Sequence, residues 1–272
     1  MHNDKPLIGK VAIVTGSCGE GIGSSVALAL AKNGANMVLN YGTGRDDKSI
    51  AKSAFDIQTK IMDIGRNAII IKADITKEAQ VKRLFKKARN EFGKVDILVC
   101  NAGWTWLDQD FTEITYKRWQ KTFAAEIDGT FLCMKEAIPT MRAQNWGRIV
   151  NIILDFTVMD TLLMTRYSHI FNKYPLPFII AKKAKMFLAH HMAYKEYQYG
   201  ITINNILPGI IEFMNFEEAC QLSNDPKIQE RGMARPTDVA NLVVFLSRDE
   251  AKFITGSDIK VPGNIYLTLN KK

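Results

Sequence analysis

Short apolar runs alternate with longer amphipathic stretches along almost the whole of this 272-residue chain. Continuous apolar runs bounded by turn residues are typical of strands that are buried on both faces. The stretches between them carry apolar residues at helical spacing. We predict strands at 10–16, 35–41, 67–74, 95–103, 147–153 and 201–209, and helices at 22–33, 46–64, 76–92, 115–143, 177–199 and 236–248.

This alternation of strands and helices predicts the fold class. Parallel strands need long crossover connections, and a helix after each strand supplies them. We therefore expect an α/β protein with a doubly wound parallel sheet and helices on both faces, which is a single-domain Rossmann fold over residues 1–272. No internal repeat or low-complexity linker divides the sequence.

One segment, 154–177, follows neither the helical nor the strand period for long. It comes directly after the strand predicted at 147–153, at the carboxyl end where open α/β sheets bind their ligands. Irregular segments of this length in a compact domain usually have a function. We interpret this segment as a substrate lid or pocket wall rather than a linker.

Composition excludes several classes of function. The net charge is +8, but basic residues are interspersed with acidic ones as on solvated helix faces, and we expect no nucleic-acid partner. No apolar run reaches the roughly 18 residues of a membrane span, and the first residues do not resemble a signal peptide. We therefore expect a cytoplasmic protein with no membrane contact. Its cysteines lack metal-binding spacing, so we expect reduced thiols and no metal site: Cys18, Cys100, Cys133 and Cys220.

A glycine-rich turn, "TGSCGEGIGSS" at 15–25, lies between the first predicted strand and the first predicted helix. Glycines at such a turn allow backbone N–H groups to approach a pyrophosphate at the positive end of the helix. The alternative is that the glycines only shape a tight turn. The strand before it and the helix after it favour nucleotide binding.

Several motifs occur in order over nearly the whole chain: "GKVAIVTG" (9–16), "NAG" (101–103), "GRIVNI" (147–152), "GITINNILPG" (200–209) and "GMARPTDVANLVVFLSRDEAKFITGSDIKVPG" (232–263). In this the sequence resembles the short-chain dehydrogenase/reductase family, and its ketoacyl reductases in particular. The resemblance implies oxidoreductase activity and binding of NAD(H) or NADP(H). It also implies a homotetramer that assembles through two long central helices.

The resemblance also implies where the cofactor binds. The turn departs from the usual spacing, because four residues separate Gly16 from Gly21 where most members have three. Carried over position by position, the resemblance implies that the phosphate turn is Gly16, Gly21, Ile22 and Gly23, and that Asp74 and Ile75 contact the adenine. On the nicotinamide side it implies a wall formed by Asn101, Ala102 and Gly103. The residues that face the nicotinamide are then Pro208, Gly209 and Ile211.

The choice between the two cofactors depends on the end of the second predicted strand. An acidic residue there bonds the ribose 2′-hydroxyl and repels a 2′-phosphate. This chain instead has Asn40 and Tyr41, followed by Arg45. We therefore favour NADP(H) over NAD(H), with Arg45 and Ser17 as candidate phosphate contacts, although Glu20 in the turn counts against this.

The family resemblance further implies a catalytic tetrad of Asn, Ser, Tyr and Lys. Only the lysine is retained, as Lys182, which also holds the cofactor ribose in that family. Glu126 occupies the Asn position, Leu154 the Ser position and Phe178 the Tyr position. The active site is therefore expected to be atypical. Since a positioned proton donor contributes typically 10² to 10⁴-fold to the rate, another group must supply the proton if the protein is a reductase.

Two sets of residues could replace the missing acid. Tyr174 and Tyr167 lie in the irregular segment upstream of Lys182 and could reach back over the pocket; alternatively, they pack the lid. Glu126 and Asp155 are carboxylates that could pair with Lys182 and act as acid or base when desolvated; alternatively, the ion pair is structural. The candidate catalytic residues are therefore Lys182, Tyr174, Tyr167 and Glu126.

Three functions fit these residues. The first is an NAD(P)(H)-dependent oxidoreductase that reduces a carbonyl or an activated C=C with a non-standard proton donor. The second is a non-redox lyase, hydratase or isomerase, and the third is a catalytically silent nucleotide-binding subunit.

The expected partner is a small molecule. Trp104 and Trp106 follow the "NAG" motif and should line an apolar pocket, which would suit an apolar substrate or an acyl thioester. A homotetramer is also predicted from residues alone, because the helix at 177–199 is apolar on more of its surface than one sheet covers.

Overall fold

A computed structural model describes residues 5–19, 21–42, 47–103, 110–156, 176–209, 211 and 234–263. Seven strands in these ranges form one sheet. They are β1 Val11–Val14, β2 Asn36–Tyr41, β3 Ala68–Lys72, β4 Ile97–Cys100, β5 Gly147–Ile152, β6 Ile201–Pro208 and β7 Asp258–Val261.

The helices occupy the connections between strands. They are α1 Ile22–Lys32, α2 Asp47–Asp63, α3 Glu78–Phe92, α4 Tyr116–Phe123, α5 Gly129–Ala143, α6 Leu176–Glu196 and α7 Pro236–Leu246. A π-helical turn, Ala124–Asp128, joins α4 directly to α5. In the described ranges no helix combines the length and apolar character that a membrane crossing requires.

The strand order is β3-β2-β1-β4-β5-β6-β7, and every neighbouring pair is parallel. The chain runs outward in one direction from β1 to β3 and in the other from β4 to β7. A crevice therefore opens beyond the carboxyl ends of β1 and β4, where open α/β sheets bind their ligands.

Successive side chains of a strand point to opposite faces, and both faces of this sheet are covered. On β1, Ala12 and Val14 belong to one apolar cluster, which α1, α2 and α7 complete. Val11 and Ile13 belong to a second cluster on the other face, with α3, α5 and α6. The prediction of a doubly wound parallel sheet is confirmed.

The observed elements differ from the predicted ones in two places. The sequence pattern did not reveal β7, because its residues alternate between exposed and half-buried and form no apolar run. The helix predicted at 115–143 is interrupted by the π-helical turn, which brings Glu126 into the interior. Most of the predicted lid, residues 157–175, lies outside the described ranges.

Candidate active site

The glycine-rich turn forms a cavity between the end of β1 and the start of α1. Its walls come from the turn, from the first residues of the helix and from the end of β4. The lining residues are Gly16, Cys18, Gly19, Gly21, Ile22, Gly23, Ser24 and Asn101.

Close packing at Gly23 holds this turn in shape. A Cβ on Gly23 would lie 2.2 Å from the carbonyl oxygen of Gly16 and 2.6 Å from Nδ2 of Asn101. Asn101 Nδ2 donates to the carbonyls of Thr15 and Gly16, at 3.1 and 3.0 Å. The Asn101 side chain thus joins the end of β4 to the turn, and only glycine fits at position 23.

The start of α1 is suited to an anion. Its N-cap is Gly21, which supplies no side-chain acceptor, and the first turn contains no acidic residue. The first N–H groups of a helix have no partner within the helix and lie at the positive end of its dipole. A pyrophosphate would satisfy them. Together with the cavity that the turn forms, this makes the turn fit a dinucleotide.

The Ser17 side chain is not among those that line this cavity, and its expected contact with a 2′-phosphate stays a prediction. The side chain is fully buried, and its Oγ accepts a hydrogen bond of 3.0 Å from the backbone N of Asn40. Cys18, which the sequence reasoning did not select, lines the cavity instead. Burial raises the pKa of the Cys18 thiol to about 11, against a smaller opposing effect of the Ser17 hydrogen bond.

The Asn40 side chain also points inward. Its Nδ2 donates to the carbonyls of Ile71 and Ala73, at 3.2 and 3.0 Å, and so ties the end of β2 to β3. Tyr41 ends β2 and is half-buried. Arg45 and Glu20, both invoked for cofactor choice, lie outside the described residues.

The adenine side of the predicted site lies at the end of β3. Asp74 is half-buried, and its Oδ1 accepts hydrogen bonds from the backbone N and the hydroxyl of Thr76, at 2.9 and 2.8 Å. Ile75 is buried and packs against Gly129, where a Cβ would lie 2.6 Å from its Cδ1. Both residues flank the crevice beside β2.

The predicted nicotinamide side begins at the ends of β4 and β6. The backbone N of Ala102 donates 3.1 Å to Thr15 Oγ1, which ties this segment to β1. Gly209 follows β6 and donates 3.0 Å to the Val261 carbonyl. Ile211 is fully buried in the apolar cluster with α7, so its side chain packs the core rather than facing the crevice.

The structure brings Glu126 and Lys182 together as a buried ion pair. Lys182 Nζ lies 3.0 Å from Glu126 Oε2, and their side chains are 7% and 0% exposed. The same ammonium donates 3.1 Å to the carbonyl of Ile152, at the end of β5. The Glu126 carboxylate fills the space above Gly103, where a Cβ would lie 2.1 Å from Oε1.

The other predicted positions around Lys182 are apolar or paired elsewhere. The Phe178 ring lies one helical turn before Lys182, with its centroid 5.3 Å from the ammonium, within the range of a cation–π contact. Leu154 is buried. The Asp155 carboxylate is 3.8 Å from Lys260 Nζ, so in the described ranges Glu126, not Asp155, is the carboxylate that pairs with Lys182.

A second buried lysine, Lys185, belongs to the same group, and the sequence reasoning did not select it. Its Nζ donates to the carbonyls of Cys100 and Ile152, at 2.9 and 3.4 Å. Burial, with a smaller contribution from the charge of Lys182, lowers the pKa of Lys185 to about 8, against an opposing effect of the Glu126 charge. The available signal was its spacing of three residues from Lys182, which places both lysines on one face of α6.

Four residues that the sequence placed near the substrate lie outside the described ranges: Tyr167, Tyr174, Trp104 and Trp106. Across the ranges that are described, no group of three or more His, Cys, Asp or Glu side chains is arranged to hold a metal ion.

Comparison with known proteins identifies the family. A family model described as Enoyl-(Acyl carrier protein) reductase matches residues 17–263. A 3-oxoacyl-(acyl-carrier-protein) reductase of Staphylococcus epidermidis is 32% identical over 265 residues, covering 95% of this chain and 99% of the relative.

Two solved structures of similar fold contain bound cofactor. A blue fluorescent protein from a metagenomic library, in complex with NADPH, has a TM-score of 0.79 and 25% identity, with 96% of this chain and 99% of that chain covered. A 7α-hydroxysteroid dehydrogenase complexed with NADH and 7-oxo glycochenodeoxycholic acid has a TM-score of 0.78 and 25% identity, with 97% and 96% covered. The chain belongs to the short-chain dehydrogenase/reductase family.

Proposed function

We propose that this protein is an NADP(H)-dependent oxidoreductase that reduces a carbonyl or an activated C=C of a small apolar or acyl-thioester substrate. The observation that carries the proposal is the buried Glu126–Lys182 pair at the end of β5, beside a turn that fits a dinucleotide. The similar 3-oxoacyl reductase supports an acyl-thioester substrate.

The residues of this chain have defined tasks in such a reaction. The glycine turn at 16–23 would hold the cofactor, which when bound would supply a hydride, and the reduced substrate then needs one proton, on oxygen for a carbonyl or on carbon for a C=C. Lys182 carries its proton on Nζ, 3.0 Å from Glu126 Oε2, and can release it into the crevice. Phe178 has no hydroxyl to contribute, and its ring shields the ammonium from one side.

The proton donor is tested by substitution. NADPH oxidation is measured against ketones, quinones, 3-oxoacyl thioesters and enoyl thioesters. Glu126→Gln removes the carboxylate that pairs with the Lys182 ammonium, so it should lower turnover by about 10²-fold, the size of effect seen when positioned proton transfer is lost, with little change in cofactor affinity. Phe178→Tyr is the control and should change little, because the donor lies elsewhere.

Tyr174 and Tyr167 are the alternative donors, and Tyr174→Phe and Tyr167→Phe test them in the same assay. If one tyrosine variant loses turnover while Glu126→Gln keeps it, the tyrosine is the donor and the ion pair is structural. If the chain binds NADPH but none of these substrates leads to its oxidation, the protein is the silent subunit, an alternative favoured by the apolar residues Phe178 and Leu154 at the predicted Tyr and Ser positions. Substrate conversion without NADPH would instead indicate the non-redox lyase, hydratase or isomerase.

The preference for NADP(H) is supported by the described end of β2, where Asn40, Tyr41 and Gly42 carry no carboxylate to repel a 2′-phosphate. Titration of cofactor fluorescence should give tighter binding of NADPH than of NADH. Arg45→Ala should remove most of that difference. Equal affinities in the native chain would overturn this preference.

We also propose a homotetramer and a cytoplasmic location. On α6, Phe187 and Tyr194 are 69% and 89% exposed, and Phe131 on α5 is 49% exposed, which supports burial of these helices against other copies. Cys18, Cys100 and Cys133 are free thiols, as is usual for proteins of a reducing compartment.

A further inference from the structure

Lys185 is a fully buried cation at the centre of the sheet's carboxyl edge. Its side chain is 0% exposed and bridges the ends of β4 and β5 through the carbonyls of Cys100 and Ile152. Because Lys182 and Lys185 lie three residues apart on α6, they occupy one helix face, and both donate to the Ile152 oxygen. The two ammonium groups therefore belong to one cluster.

The charges of this cluster do not balance. It contains two lysines and one carboxylate, Glu126, which pairs with Lys182. Within the described part of the chain, Lys185 forms no ion pair of its own, and the other titratable groups that face it are the thiols of Cys100 and Cys133. Burying an ammonium costs several kcal/mol, and an apolar side chain of the same length would fill the space without that cost.

The imbalance disappears when the cluster gives up one proton. With both lysines protonated and Glu126 ionised, the cluster carries one positive charge. After the Lys182 ammonium gives up a proton, the Glu126 carboxylate and the Lys185 ammonium remain, and the net charge is zero. Without the charge on Lys185, the same step would leave a buried carboxylate with no counter-charge, which is strongly unfavourable.

We propose that Lys185 is a positioning residue of the active site, which supplies the counter-charge for Glu126 when the Glu126–Lys182 pair releases its proton to the reduced substrate. The inference rests on the proposed reductase function. The substrate oxygen or carbon takes the proton, Lys182 is left as an amine, and a proton from solvent restores the pair. Lys185 keeps its own proton throughout the cycle.

The electrostatic coupling can be measured without turnover, by NMR of the chain labelled with ¹³C at the lysine ε-carbons. Lys182→Arg and Lys185→Met assign the two signals. Lys185 should titrate near pH 8, and the Lys182 signal should shift over the same pH interval. In Lys185→Met that shift should vanish, whereas Lys195→Met, at an exposed site on α6, should leave it unchanged.

Kinetics give the second test. In the native chain kcat should fall as the pH rises through about 8, because Lys185 loses the charge that favours proton release. Lys185→Met should lower kcat about tenfold at pH 7, flatten this part of the pH profile and leave cofactor affinity within twofold.

The outcomes separate the two proposals. A Lys182 signal that does not respond in the native chain overturns the role of Lys185, even if Lys185→Met fails to fold. An unchanged pH profile of kcat in Lys185→Met overturns it as well. If the Lys182 signal responds to the titration of Lys185 but the native chain oxidises no NADPH, the proposed reductase function is overturned, whereas the electrostatic coupling within the charge cluster is confirmed.

Discussion

At the scale of single residues, the most informative position is Phe178. Phe178 occupies the position at which the family resemblance implies a proton-donating tyrosine. In the structure its ring lies against the Lys182 ammonium. The ammonium instead pairs with Glu126. The proton chemistry that we propose therefore depends on the Glu126 carboxylate and on the small residue, Gly103, that makes room for it.

Gly103→Ala tests this dependence. The added Cβ would lie 2.1 Å from Glu126 Oε1, so the carboxylate must move away from Lys182. Turnover should fall by at least about tenfold, and stability should fall by about 1 to 3 kcal/mol, as expected for overpacking. In a Glu126→Ala background the same change should cost almost nothing, because the three nearest atoms all belong to Glu126. Additive effects in this double-mutant cycle would show that the clash lies elsewhere.

Lys185 also predicts how stability depends on pH. Its pKa is about 8 in the folded chain and 10.5 in the unfolded chain, so between these values the unfolded state binds more protons. Stability therefore rises with pH in this window. The free energy of unfolding of the native chain, measured relative to Lys185→Met, should increase by roughly 2 kcal/mol between pH 8 and 10. Urea titrations of both proteins at these pH values measure it, and a constant difference would contradict the burial of this charge.

At the scale of secondary structure elements, the junction of β1 and α1 determines cofactor binding. The turn, the helix start and Asn101, which follows β4, line one cavity, and the close packing at Gly23 holds them in position. In contrast, the π-helical turn between α4 and α5 is a local irregularity that places Glu126 at the crevice, and the Thr130 hydroxyl, which donates 2.8 Å to the Glu126 carbonyl, secures it.

Gly23→Ala should disrupt the β1–α1 junction. Its Cβ would lie 2.2 Å from the Gly16 carbonyl oxygen, which is backbone and cannot rotate away. NADPH affinity should fall by at least about tenfold, while the sheet and the other helices remain folded. Fluorescence titration with far-UV circular dichroism measures both properties. Ser25→Ala, on the same helix but outside the cavity, is the control and should bind NADPH normally.

At the scale of the whole molecule, the exposed apolar side chains of α5 and α6 allow the proposed tetramer to be tested. We propose that other copies of the chain cover these side chains, since contiguous apolar surface on a soluble protein often marks a contact with another molecule. Phe187→Glu should break the proposed tetramer into smaller species in light scattering. Phe55→Glu, which changes a 61% exposed ring on α2, should leave the mass unchanged. A native monomer at micromolar concentration would refute the assembly.

The sequence by itself determined the features that depend on local periodicity and on contiguous motifs. Apolar runs predicted six of the seven strands, because a doubly covered sheet requires them, and the glycine turn was recognisable from its place between a strand and a helix. β7 was missed because a short edge strand carries no such run.

Only the tertiary structure decided which distant groups meet. Glu126 and Lys182 are far apart in the chain and pair because α6 and the π-helical turn converge at the carboxyl edge of the sheet. Ser17 turned out to be buried and Asp155 to lie beside Lys260 for the same kind of reason. The type of a residue determines which bonds its side chain can form. Whether the side chain is buried, and which group it pairs with, depend on the packing of elements that are not neighbours in sequence. For Lys185, that packing turned an ordinary lysine into a buried charge between two strand ends.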